Sequence, residues 1–214
     1  MQLIIVRHGQ STGNITTDDV PDGKLTQLGR QQARETGALL AHEGITHVLS
    51  SPLVRALATA TAVADAAGID RIEVWPELQE DRRSLHRGFG RAELLKGFPK
   101  AVFSDSFEAT GWDHGGETYE TALERGASAL AAIRAQFKGD DRVVVATHGA
   151  FGCYLLRALL HVPRQTSVWF RMNNCGVSRI EFVDSPSDDA EPGYESAITE
   201  VICMNSISHL SVIS

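Results

Sequence analysis

Short apolar runs alternate along this chain with longer segments whose apolar residues recur at helical spacing. Leu3-Ile4-Ile5-Val6 places four apolar residues in a row, the pattern of a strand buried on both faces, and stops on Arg7-His8-Gly9. Thr26 is positioned to cap a helix in which Leu28, Ala33, Gly37, Leu40 and Ala41 fall at roughly helical intervals until Gly44 stops it. Residues 47–50 form a second short strand, and Ser51-Pro52 opens an alanine-rich helix over 53–67, with serine as cap, proline in the first turn and Gly68 at its end. A third strand over 72–75 closes on Pro76. Further on, a helix from about 118 to 137 precedes the run Arg142-Val143-Val144-Val145-Ala146, which ends on Thr147-His148-Gly149 and leads into a helix over 151–161. Strands over 177–183 and 198–203 flank a Ser/Pro/Asp/Glu-rich loop at 184–195.

This alternation predicts an α/β fold, a three-layer α/β/α sandwich with a mostly parallel central sheet and antiparallel pairing near its end. Residues 77–116 interrupt it. Gly, Pro, Arg, Phe and His are scattered there, and only 91–96 has a helical pattern. A structureless stretch of that length inside a domain reads as a functional loop or lid, so the substrate pocket is expected there, with Phe103, Phe107, Trp112 and His114 as candidate lining residues. The chain therefore reads as one domain, 1–214, with a substrate-loop insertion at about 77–116. No internal repeat or interdomain linker stands out.

The 214 residues, 43% hydrophobic and 22% charged, suffice for one well-filled core. A net charge of −7 without a Lys/Arg cluster argues against nucleic acid as a partner. No apolar run approaches membrane-spanning length and no leader pattern is present, so no membrane partner and a cytoplasmic location are expected. Cys153, Cys175 and Cys203 are odd in number and lack CxxC spacing, and they read as buried small residues. Asn14-Ile15-Thr16 matches a glycosylation sequon of no consequence without secretion.

Candidate chemistry gathers where strands end. In open α/β sheets that edge carries the site, so the two His-Gly strand ends would bring His8 and His148 into one cleft. A neutral imidazole can attack phosphorus while guanidinium groups neutralise the phosphoryl oxygens, and Arg7 and Arg55 are available for this, with Asn14 as a neutral donor. An alkoxide leaving group must be protonated, and Glu77, Glu80, Asp81 and the more distant Glu117 are the candidate acids. The other histidines, among them His86, read individually as surface or core residues. No zinc-protease, P-loop or dinucleotide motif is present.

Several stretches together resemble the histidine phosphatase superfamily, which includes the cofactor-dependent phosphoglycerate mutases. They are Arg7-His8-Gly9 with Asn14, Leu25-Thr26-Gln27-Leu28-Gly29-Arg30, Ser50-Ser51-Pro52-Leu53-Val54-Arg55-Ala56, Glu77-Leu78-Gln79-Glu80, Gly115-Gly116-Glu117-Thr118 and Thr147-His148-Gly149, with an echo in Asn205 to Leu210. The resemblance implies a phosphoglycerate mutase-like fold and a phosphohistidine at His8. It also implies phosphoryl binding by Arg7, Arg55 and His148 with help from Asn14, Gly149 and Glu117, and Glu80 as proton donor. No metal and no cofactor are implied, and a homodimer stays open. The mutase branch carries an insertion and a Tyr-Gly-x-Leu-x-Gly segment near its acid that are absent here, so the expectation is a phosphatase acting on a small phosphorylated substrate. The alternatives are a mutase and a phosphate-binding relative without turnover.

Overall fold

In a computed structural model that describes residues 1–183 and 199–214, the opening apolar run forms strand β1 (Gln2–Arg7) at the heart of a seven-stranded sheet. Its neighbours are β7 (Arg142–Thr147), parallel, and β8 (Val177–Phe182), antiparallel. Beyond β7 lie β2 (His47–Ser50), β3 (Ile72–Val74) and β5 (Ala101–Phe103), all parallel, and beyond β8 lies the antiparallel edge strand β9 (Thr199–Ser206). The expected loop at 184–195 and Ile198 lie outside the described residues. A separate two-stranded sheet pairs β4 (His86–Gly88) with β6 (Trp112–His114).

Side-chain alternation along β1 explains the layers. Leu3 and Ile5 face one core, shared with Leu130 and Ile133 of α4 (Tyr119–Gln136) and with Phe151 and Leu155 of α5 (Gly149–Leu159). Ile4 and Val6 face the other, shared with Leu40 of α1 (Gln27–Leu40), Leu57 and Val63 of α2 (Val54–Ala67), and Leu94 of the short α3 (Arg91–Gly97). Period-two alternation thus feeds two helical layers, and the expected α/β/α sandwich is the architecture found. Among the described residues no helix is long and apolar enough to cross a membrane.

Three sequence expectations need correction. Residues 77–116 are not structureless: they hold β4, α3, β5 and β6. The three strands have three residues each, too few for alternation to show, and β4 is His-Arg-Gly, with no apolar member. Phe107 and Trp112 are core rather than pocket, packed in the cluster that contains Leu94, with Phe103 against them. Cys153 and Cys175 are buried as expected, while Cys203 on the edge strand is half-exposed.

Thr26 caps α1 as anticipated, its Oγ1 accepting from the Gly29 N–H at 3.0 Å, and Gly68 ends α2 in a left-handed conformation with φ 71°. A second use of glycine matters more for function. The backbone after β1 lies directly against the first turn of α1, so that a Cβ on Gly9 would sit 2.4 Å from the Gly29 carbonyl oxygen, and one on Gly29 only 1.9 Å from that of Gln10. Backbone meets backbone there and no side chain can move aside. Gly29→Ala should therefore lower stability by about 1–3 kcal/mol or more, seen as a reduced urea midpoint at unchanged slope. An unchanged midpoint would disprove the close approach.

Candidate active site

Parallel pairing of β1 with β7 sets Arg7 opposite Thr147, and the His8 N–H donates to the Thr147 carbonyl at 2.9 Å, so the residues following both strands emerge together. The rings of His8 and His148 lie 5.2 Å apart, edge to face. Both are buried, in a cluster that also contains Arg7, Arg55 and Glu80.

Hydrogen bonding fixes the tautomer of His8. Its Nδ1 lies 2.7 Å from the Gly9 carbonyl, which can only accept, so Nδ1 carries the proton. Its Nε2 lies 3.1 Å from Arg55 Nε, which can only donate, so Nε2 presents a lone pair. The imidazole is also kept neutral: burial, then the guanidiniums of Arg55 and Arg7, hold its pKa well below the ordinary range. His148 is depressed in the same way, by burial and then by Arg55. Its Nε2 is 2.8 Å from Ser51 Oγ, which accepts from the Leu53 N–H. The Ser51 hydroxyl hydrogen has no other acceptor among the described residues. It therefore donates to Nε2 and leaves the His148 proton on Nδ1, a buried donor without a protein partner.

The guanidiniums are anchored from behind. Arg7 donates through Nη1 to the Met172 carbonyl at 2.6 Å and keeps a buried, unpartnered Nε. Arg55, in the first turn of α2, donates through Nη1 to the Pro21 carbonyl at 3.0 Å and lies 3.8 Å from Asp22. Asp22 also accepts from the Val54 N–H at 2.8 Å. The cap of α2 is thus Asp22, from a loop 32 residues earlier, and not Ser51 as the sequence suggested, because Ser51 is engaged with His148. Burial raises the Asp22 carboxyl to about 6 in spite of Arg55.

Glu80 occupies the N-terminus of α5. Its Oε2 accepts from the N–H groups of Gly149 at 3.1 Å and Ala150 at 3.3 Å, and its Oε1 from those of Phe151 and Asp81, both at 3.0 Å. A Cβ on Gly149 would lie 3.4 Å from Arg7 Nε and 3.8 Å from Glu80 Oε2, so both groups flank one spot beside His148. Asn14 sits at the exposed mouth. Its Oδ1 accepts from Ser11 N, Ser11 Oγ and Asn174 Nδ2 at 3.0 to 3.2 Å, leaving its own Nδ2 as the free donor. Glu117 does not join the cluster. Both of its carboxylate oxygens bind Arg125, which donates to the carbonyls of Glu77 at 2.5 Å and Gln79 at 3.0 Å and stacks on Phe151, so this pair holds the segment that carries Glu80.

Sequence reasoning missed Arg125, Asp22 and Asn174. Asn174 donates to the His8 carbonyl at 2.9 Å from a turn in which Cys175 has φ 54° and Asn205 Oδ1 accepts from the Asn173 N–H at 2.7 Å. The echo at Asn205 was the only signal for that turn, and the other two reach the site across 30 to 50 residues with no local pattern.

A family model described as histidine phosphatase superfamily (branch 1) matches residues 3–187. Among relatives, probable phosphoglycerate mutase GpmB of Enterobacter sp. (strain 638) is 31% identical over 192 residues, 87% of each chain. That of Salmonella paratyphi B is 30% identical over 200 residues, 86% of each. Among solved structures, a mycobacterial glucosyl-3-phosphoglycerate phosphatase complexed with VO3 aligns with a TM-score of 0.63 at 21% identity, over 96% of this chain and 99% of its own. A phosphoserine phosphatase from Entamoeba histolytica, in complex with phosphoserine, aligns with 0.66 at 21% identity over 98% of both. At these identities the solved structures show the shared fold.

The two depressed histidines make a pH prediction. Unfolding lets them take up protons below about pH 6.5 that the folded chain refuses, so stability falls as pH falls, by up to about 1.4 kcal/mol per unit for each. Asp22 opposes this below about 6, since its folded form protonates first. Counting His114 as well, whose pKa burial and the charges of His86, Arg82 and Arg55 lower to about 4, the net loss between pH 7.5 and 5.5 should be on the order of 3 kcal/mol, read from urea midpoints. A flat or rising profile would contradict neutral imidazoles at both positions.

Proposed function

The chain belongs to the histidine phosphatase superfamily, and on that premise we propose that it is a metal-independent phosphomonoester hydrolase working through phosphohistidine on a small phosphorylated metabolite. The observation that carries this reading is the His8 imidazole, neutral, with its tautomer set so that the Nε2 lone pair faces a guanidinium.

In the first step Nε2 attacks phosphorus, a P–N bond forms and the ester P–O bond breaks. Arg55 leaves Nε2 for a phosphoryl oxygen, joined by Arg7 Nε, His148 Nδ1–H and Asn14 Nδ2. Glu80, protonated, gives its proton to the departing alkoxide. In the second step water attacks the phosphohistidine, Glu80 takes the water proton, the P–N bond breaks and inorganic phosphate leaves neutral His8 behind. Residues 77–116 shape the rest of the pocket, and the reaction suits a cytoplasmic enzyme.

Mutase activity is the second reading, favoured by the names of the curated relatives. It uses the same first step and returns the phosphoryl group to an acceptor hydroxyl instead of water. Assaying phosphorylated metabolites with and without 2,3-bisphosphoglycerate separates the two, because a hydrolase releases phosphate without the primer. His8→Ala should lose roughly 10³-fold or more of the hydrolysis of p-nitrophenyl phosphate, and excess chelator should change nothing. Glu80→Gln should lose about 10²–10⁴-fold on an alkyl phosphate and far less on p-nitrophenyl phosphate, whose leaving group needs little protonation. Equal losses on both esters would remove Glu80 from the acid role.

A further inference from the structure

The loop that carries His8 is held by two polar side chains that take no part in the phosphoryl chemistry. Gln32 of α1 and Thr59 of α2 are both fully buried. Gln32 Oε1 accepts from the Gln10 N–H at 3.0 Å, and Thr59 Oγ1 accepts from the Gly9 N–H at 3.1 Å. The other partner of each group fixes this direction. Gln32 Nε2 lies 3.3 Å from the Val212 carbonyl, which can only accept, and the Thr59 hydroxyl donates to the Arg55 carbonyl at 2.8 Å. Burying an amide costs stability that an aliphatic side chain of the same shape would not, so packing alone gives no reason for a glutamine there.

The two bonds fall on the two peptide units around Gly9. In the first, His8–Gly9, the N–H is held by Thr59 and the carbonyl accepts from Asn174 Nδ2 at 2.9 Å. In the second, Gly9–Gln10, the N–H is held by Gln32, and the carbonyl is the acceptor 2.7 Å from His8 Nδ1. A trans peptide is planar with its N–H and C=O opposed, so the bond to Gln32 aims the Gly9 carbonyl at the imidazole. Glycine cannot do this by itself, because it has the widest choice of backbone angles, and the contact with Gly29 admits no stiffer residue at this position. The restraint matters most once substrate is bound. Arg55 then turns from Nε2 to a phosphoryl oxygen, and His8 depends on the Gly9 carbonyl to keep its proton on Nδ1 and its lone pair on Nε2.

We propose that Gln32 and Thr59 are positioning residues for the nucleophile: they clamp the peptides on either side of Gly9, and through the Gly9 carbonyl they hold His8 in the attacking tautomer. The proposal rests on the reading of His8 as the nucleophile. Both side chains bind the backbone of the loop, so their loss acts on the imidazole and leaves the binding of phosphate in place.

Gln32→Met and Thr59→Val keep the bulk of each side chain and remove the acceptor, whereas Thr59→Ser keeps the acceptor. Each of the first two should lower kcat/KM for an alkyl phosphate about 10–100-fold, the range for losing a group that orients a histidine from behind, while the Ki of inorganic phosphate stays within about twofold. Thr59→Ser should recover most of the rate. Proton NMR supplies a readout that needs no turnover. The His8 Nδ1–H, identified by its loss in His8→Ala, should give a slowly exchanging signal in the wild-type protein. In Gln32→Met and Thr59→Val it should exchange with water about tenfold faster or more, with the amide signals of β1 and β7 unmoved. An unchanged kcat/KM, a Ki that weakens in step with it, or an Nδ1–H that exchanges equally fast in wild type and variants overturns the clamp, as does a Thr59→Ser protein that behaves like Thr59→Val. If Gln32→Met fails to fold, the two Thr59 variants decide alone. The nucleophile reading fails separately, if His8→Ala keeps its hydrolysis while the Nδ1–H signal responds to the variants as described.

Discussion

Two imidazoles and two guanidiniums share one buried cluster, and the rest of the site exists to make that tolerable. Like charges in a medium of reduced dielectric repel strongly, and burial adds a desolvation cost. The chain answers first by keeping both imidazoles neutral, which removes two of four positive charges. It then ties each guanidinium from behind to a group outside the reacting space, Arg7 to the Met172 carbonyl and Arg55 to Pro21 and Asp22. What remains is two guanidiniums faced by two carboxylates of the chain, Glu80 and Asp22.

The two helix N-termini at this edge take a different part from the one their dipoles suggest. Such ends commonly bind phosphate directly, yet here each is occupied by a carboxylate of the chain, Asp22 on α2 and Glu80 on α5. The helices therefore orient protein groups instead of the ligand. For Glu80 this has chemical weight. Its carboxylate is held by four backbone N–H groups, and the Glu117–Arg125 pair holds the segment that carries it, so its orientation is fixed by secondary structure and not by a flexible loop.

How much of this was legible beforehand depended on range. β1 and β7 announced themselves because strands buried on both faces are runs of apolar residues, and the chemistry at their ends came with them. Arg55 was readable as a charge at a helix start. The cap of α2 was misassigned because a local rule favours serine before proline, whereas the packed structure had another use for Ser51 and recruited Asp22 across the loop. The stretch at 77–116 was read as irregular for the same kind of reason: three-residue strands gain their order from partners elsewhere and carry no period of their own. Aromatic residues there were as easily pocket as core on composition, and Phe107 and Trp112 proved to be core.

The central place of β1 also has a consequence for how the molecule comes to be. Its two neighbours, β7 and β8, begin 140 and 175 residues downstream, and the Asn174 turn that grips the His8 carbonyl comes later than β7. Closing loops of that length precedes any reward from pairing, so folding is slow compared with a chain of local contacts. On a ribosome β1 emerges before β7 and β8 and waits for most of the chain between them before it can be enclosed. Until then four consecutive aliphatic side chains stand open to water or to a chaperone, and a product truncated before β8 leaves one edge of β1 unpaired.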